Sequence, residues 1–112
     1  MIRVTFYKNP DNITIRCVLE GHAAYADKGE DIVCSAVSIL FINTINCIEK
    51  LVGESYQLKQ DEKKNRFDVS FDTVPKHDTQ LLLNTMEFGL VTIQKQYGSK
   101  FLKITLKEVQ EI

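Results

Sequence analysis

Tryptophan is absent from this chain, proline occurs twice and glycine five times in 112 residues. No linker, repeat or low-complexity segment divides it, so one undivided unit is expected. Cysteine is nearly as scarce. Cys17, Cys34 and Cys47 are odd in number, widely spaced and without a C-x-x-C pair, which excludes a disulfide framework or a zinc site and fits reduced thiols in a reducing compartment. With only His22 and His77 as imidazoles, too few ligands are present for a metal hydrolase, and neither metal nor cofactor is expected.

An excess of either charge is also missing: 14 Lys and Arg face 15 Asp and Glu, a net charge of -1. No overall electrostatic footprint invites DNA, RNA or an anionic membrane as the main partner. The N-terminus, MIRVTFYKNPDN, alternates apolar and polar residues and lacks the basic stretch, apolar block and small-residue cleavage site of a secretory signal. A cytoplasmic location is therefore expected. The longest apolar region, from Ile32 to Val52, is interrupted by Ser35, Ser38, Asn43, Asn46, Glu49 and Lys50. That pattern reads as a buried helix rather than a bilayer span.

A chain of this length supports one domain with one core. Ile2, Val4 and Phe6 alternate with polar residues, Asn9 to Asn12 form a turn cluster, and Ile13, Ile15, Cys17 and Leu19 alternate again, which predicts a hairpin. The second strand ends near Gly21. Residues 23–30 are small, charged or glycine and read as a mobile loop. Asp31 is expected to cap a helix that Gly53 stops, with Val33, Ala36, Val37, Leu40, Thr44, Ile48 and Leu51 as its core stripe. Cys34, sharing a flank with Ser38, Phe41 and Ile45, is placed at the rim of the core. A second hairpin follows, with strands at Tyr56–Leu58 and Phe67–Phe71. Pro75 then suits the first turn of a helix, Leu82, Leu83, Met86, Leu90, Ile93 and Tyr97 keep helical spacing, and Gly98 ends it. Gly89, costly inside a helix, implies close packing there. With a final strand over Phe101–Leu106, the expected class is α+β: a mixed sheet of about five strands with two helices, in the order ββαββαβ.

The chemistry concentrates between His22 and Cys34. A thiol becomes a strong nucleophile as the thiolate, and ionisation is promoted by the positive end of a helix and by a nearby imidazole. Cys34, expected in the first helical turn, is offered both. Unpaired backbone N–H groups at that helix start, those of Cys34 and Ser35 included, form a candidate oxyanion hole. His22 is the candidate general base and, later, acid. A third group that orients the imidazole is open among Asp31, Asp27 and Glu30, and Asp31 serves equally as a plain helix cap.

On spacing alone the pair is explained as well by a small core thiol and a structural imidazole. Cys17 and Cys47 read as inert packing residues. His77 reads as solvated, and Lys63-Lys64-Asn65-Arg66 as an ordinary charged hairpin turn.

What shifts the balance is a resemblance. Gly21-His22, a loop closing on Gly29-x-Asp31-Ile32-Val33-Cys34, and Ser35-Ala36-Val37-Ser38 opening the helix resemble the ribosomal-processing cysteine protease Prp family. Asn43, Gly53, Gly89-Leu90 and Tyr97-Gly98 extend the likeness over nearly the whole chain. It implies one cysteine protease domain over residues 1–112, acting in the cytoplasm without a cofactor. The implied reaction removes the N-terminal extension of the large-subunit ribosomal protein whose tail reaches towards the peptidyl-transferase centre, cutting after an aromatic pair. It further implies Cys34 as nucleophile, His22 as base, a homodimer and a flexible loop between the two residues, with no direct nucleic-acid or membrane partner. The substrate's aromatic pair calls for an apolar groove, for which Tyr25, Phe41, Val37 and Tyr97 are candidates. The competing expectation is a non-catalytic binding module, associated with the ribosome or its assembly, on the same fold.

Overall fold

The structure is a computed structural model that describes residues 1–21 and 28–110, with backbone alone for 28–30. His22, Ala23, Ala24, Tyr25, Ala26 and Asp27 therefore lie outside the described residues. Five strands and two long helices follow in the order ββαββαβ: β1 (Ile2–Lys8), β2 (Thr14–Glu20), α1 (Lys28–Cys47), β3 (Gln57–Asp61), β4 (Arg66–Ser70), α2 (His77–Tyr97) and β5 (Leu102–Glu108). The sheet order is β3-β4-β2-β1-β5, in which β1 and β5 are parallel and the other pairs antiparallel. Both expected hairpins form. Their turns carry Asn12 and Asn65 at positive φ, a conformation asparagine tolerates better than most side chains.

Strand alternation decides which face the helices cover. Val4, Phe6, Cys17, Leu19, Val69 and Leu102 point to one side and meet Val33, Val37, Phe41, Ile45 and Ile48 of α1 and Leu83, Met86 and Leu90 of α2 in a single core. By length and composition the stretch Asp31–Val52 would suffice to cross a membrane, but these α1 side chains are committed to the core. α1 and α2 also pack on each other. A Cβ on Gly89 would come within 2.8 Å of Leu40 Cδ2, so this glycine is the close approach that its cost inside a helix implied. Gln80 anchors α2 to β2, accepting from the Thr14 N–H at 3.0 Å and donating to the Thr14 carbonyl at 2.8 Å.

Several boundaries differ from the sequence expectation. α1 begins at Lys28, so Asp31 is its fourth residue and not its cap. Its last turn widens into a π-helical segment, Ile48–Val52, which Gly53 closes at φ 77° by donating back to the Ile48 carbonyl. One π turn shifts the following residues round the helix relative to a 3.6-residue period. Leu51, expected in the core stripe, is consequently 78% exposed. Phe41 and Ile45, expected on the flank, are buried because α1 is gripped from two sides, by the sheet and by α2. Pro75 precedes α2, whose N-cap is Lys76.

Candidate functional site

Cys34 is half-buried and packed against the core edge, as its flank position required. Its side chain opens into a cavity of about 250 Å³ lined by Leu19, Cys34, Ser38, Phe41, Ile42, Asn65 and Phe67. Three chain segments build it: the end of β2, the second turn of α1 onward, and the β3–β4 turn with the start of β4. Leu19 is two residues before Gly21 and three before His22. The strand end that leads to the histidine and the helix that bears the cysteine thus line the same cavity.

Gly21 fixes how the chain leaves β2. Its φ is +87°, and a Cβ there would fall onto the Met1 carbonyl oxygen. Only glycine accepts both the conformation and the approach.

The cavity does not end at Cys34. A second hollow of about 230 Å³, lined by Phe41, Ile42, Ile45, Asn46, Tyr56, Leu58, Gln60 and Phe67, shares Phe41, Ile42 and Phe67 with the first. Together they make one trough between α1 and the β3–β4 hairpin. Phe41 and Phe67 form its waist with ring centroids 6.2 Å apart. Ile42 and Leu58, large apolar side chains about half exposed, lie on its walls. Of the groove candidates named from sequence, Phe41 takes its place in the trough and Val37 is core. Tyr97 closes α2, and Tyr25 lies outside the described residues. Leu19, Leu58, Asn65 and Phe67 were missed, because only the pairing of β3 with β4 and of β4 with β2 brings them to α1.

The Cys34 and Ser35 N–H groups, expected as oxyanion donors, lie in the second turn of α1 rather than the first. The unpaired N–H groups of an α-helix are its first four, and a start at Lys28 puts Cys34 seventh and Ser35 eighth. Regular i to i-4 bonding commits their N–H groups to the carbonyls of Glu30 and Asp31. Among the described residues, Ser38, one turn beyond Cys34, and Asn65 bring polar side chains to the cavity.

No disulfide joins the described cysteines. Cys17 is fully buried, and burial, with smaller contributions from the Asp68 and Glu87 charges, pushes its thiol well above the ordinary range. It is an inert core thiol. Asp31 and Ser35 are exposed. His77, 90% exposed, lies 3.2 Å from Asp78 Oδ1 and has no part in the trough.

The family model described as cysteine protease Prp matches residues 1–109. The chain is 29% identical over 98 residues to the ribosomal processing cysteine protease Prp of Staphylococcus aureus, covering 88% of this chain and 92% of that protein. It is 29% identical over 109 residues to the protein of the same name from Bacillus subtilis, covering 94% and 96%. The crystal structure of the essential ribosomal processing protease Prp from Staphylococcus aureus with a substrate peptide superposes with a TM-score of 0.88 at 26% identity, covering 96% of this chain and all of the other. A second structure of that protease carries a covalently linked product peptide and gives a TM-score of 0.85 at 27% identity over the same shares.

Proposed function

We propose, for a chain that belongs to the cysteine protease Prp family and is thereby a cysteine-type peptidase of ribosomal processing, that its reaction runs through Cys34 and His22. Cys34 Sγ attacks the scissile carbonyl carbon while the His22 imidazole takes the thiol proton. Collapse of the tetrahedral adduct breaks the C–N bond, and the imidazolium returns its proton to the leaving amine, leaving a thioester on Cys34. Water, deprotonated by His22, then adds to the thioester and releases the acid and the thiol. The carrying observation is the cavity that Cys34 shares with Leu19, three residues before His22 in the chain. The covalent product peptide held by the Staphylococcus aureus relative supports the same chemistry.

Asp31 precedes Cys34 by three residues on α1, so the two lie on one side of the helix a turn apart. That placement suits a carboxylate orienting the imidazole. Among the described residues, the Ser38 hydroxyl and the Asn65 amide are side-chain donors in the cavity for the oxyanion.

The substrate is the N-terminal extension of the large-subunit ribosomal protein whose tail reaches the peptidyl-transferase centre, cut after an aromatic pair. The trough supports this reading, since two apolar hollows meeting at Phe41 and Phe67 offer adjacent seats for two aromatic rings. The protein works in the cytoplasm as one domain. It does so as a homodimer, for which Ile39 and Phe88, 69% and 76% exposed on the outer sides of α1 and α2, supply apolar surface.

Mass spectrometry of the ribosomal protein before and after incubation tests the assignment. Wild type shortens it at the aromatic pair, while Cys34→Ala, folded with an unchanged melting curve, leaves it intact. Cleavage by Cys34→Ala overturns the nucleophile, and an uncut substrate with wild type overturns the substrate. A non-catalytic binding module, the competing expectation, has no use for a thiol placed in an apolar trough.

A further inference from the structure

The net charge of -1 conceals a segregation. Alternate residues of every strand point to the sheet face opposite the helices, and there the registers collect six cations: Arg3, Arg16, Lys59, Arg66, Lys103 and Lys107. Three carboxylates share that face: Glu20, Asp61 and Asp68. The face thus carries a net charge of +3 and the rest of the chain -4.

The two signs are also separated within the face. All three carboxylates lie on β2, β3 and β4, and Asp68 and Glu20 are matched there by Arg16 at 2.6 Å and Arg66 at 3.5 Å. β1 and β5 bring no carboxylate to this side. In register they set Arg3 beside Lys103, Thr5 beside Thr105 and Tyr7 beside Lys107. The Tyr7 ring spaces two cations, with the Arg16 guanidinium 4.7 Å and the Lys107 ammonium 5.9 Å from its centroid. Successive members of one strand face are about 6.6 Å apart. The result is a straight track of cation, hydroxyl, cation along β1 and β5.

Against the expectation of no direct nucleic-acid partner, we propose that this half of the open sheet face is a docking surface for single-stranded RNA, held by its phosphodiester backbone. An extended strand presents one negative charge per nucleotide in a line, which the exposed Arg3, Lys103 and Lys107 neutralise. The Thr5 and Thr105 hydroxyls donate to phosphate oxygens between them. Preference for RNA over an acidic protein rests on the ribosomal-protein reading above, since RNA is the polyanion that a ribosomal protein is made to bind. The track lies on the opposite side of the sheet from Cys34, so bound RNA leaves the trough open.

Fluorescence anisotropy of a short labelled single-stranded RNA tests this with wild type and the Lys103→Glu/Lys107→Glu variant across a salt series. Wild type binds with a log affinity that falls with log salt at a slope of about -2, and the variant binds at least about tenfold more weakly with an unchanged melting curve and unchanged peptide cleavage. Equal binding by both proteins, or equal competition by a poly-glutamate peptide, overturns the proposal. So does a wild-type dimer that this double substitution dissociates, which would assign the face to a second copy of the chain. RNA binding needs no cleavage step, so failure of the peptidase reading leaves this result standing on its own.

Discussion

The same five strands write both faces of the sheet, in alternate positions, and the two faces differ in chemistry. On the helix side, Leu19, Leu58 and Phe67 join Phe41 and Ile42 in an apolar trough that receives Cys34. On the other, Arg16, Asp68, Glu20 and Arg66 form a charged network. A nucleophile gains from the first environment, where apolar walls exclude water from the reacting bond and leave a few fixed dipoles to act. The second is built from side chains that stay wet or pair with each other. Function on the helix side depends on shape, whereas stability and any recognition on the open side depend on pH and salt.

Changing Gly21, the residue through which β2 leaves the sheet, should have the largest effect. Gly21→Ala combines the cost of a positive φ with a clash against Met1, together about 3 kcal/mol. Urea denaturation measures it, and a loss below about 0.5 kcal/mol would show that the turn relaxes freely. Next, Leu58→Asp puts a charge on the trough wall at a site already half exposed. Cleavage of a peptide with an aromatic pair should fall roughly 30-fold in kcat/KM, about 2 kcal/mol, with little change in stability. An unchanged kcat/KM would detach the trough from substrate binding.

The open face is probed by Asp68→Asn. The bidentate Arg16 hydrogen bonds at 2.9 and 2.6 Å hold the Asp68 carboxyl below the ordinary carboxylate range, against the opposing effect of burial. A depressed carboxylate stabilises the fold above the unfolded-state value, and the contribution disappears as pH falls through the lower folded-state value. The substitution should therefore cost about 1.5 kcal/mol at neutral pH. The gap between variant and wild type should close in acid. A gap that stays constant from pH 7 to pH 3 would remove the ion pair as its cause. The smallest effect expected is a contrast among thiols. Iodoacetamide should modify Cys34 at least about tenfold faster than Cys17, which is buried and held protonated. Peptide mapping reads the ratio, and equal labelling in the folded protein would make Cys34 an ordinary thiol.

Element order, both hairpins and the stops at Gly53 and Gly98 were legible in the sequence because each has a local cause: period-two alternation, polar turns with an asparagine at positive φ, and glycines at positive φ. Gly89 was legible for the converse reason, since a residue that weakens a helix needs a compensating contact, and Leu40 is that contact. The start of α1 was not. Asp31 looks like a cap in sequence, yet Lys28, Gly29 and Glu30 continue the helix ahead of it, and capping depends on where the backbone turns rather than on residue type.

Of the site, Cys34 at the core rim followed from its place beside the apolar stripe, a local matter of helical period. Its surroundings did not follow, because Leu19, Asn65 and Phe67 reach it through strand pairings that join residues nearly fifty apart in the chain. Composition likewise showed a nearly neutral protein, and only the pairing register gathered six of its 14 Lys and Arg onto one face. The sequence by itself determined periodicity, turns and the reactive residue types, all set by neighbours a few bonds away. The tertiary structure alone decided the trough and the sign of each surface, since these depend on which distant segments the sheet brings together.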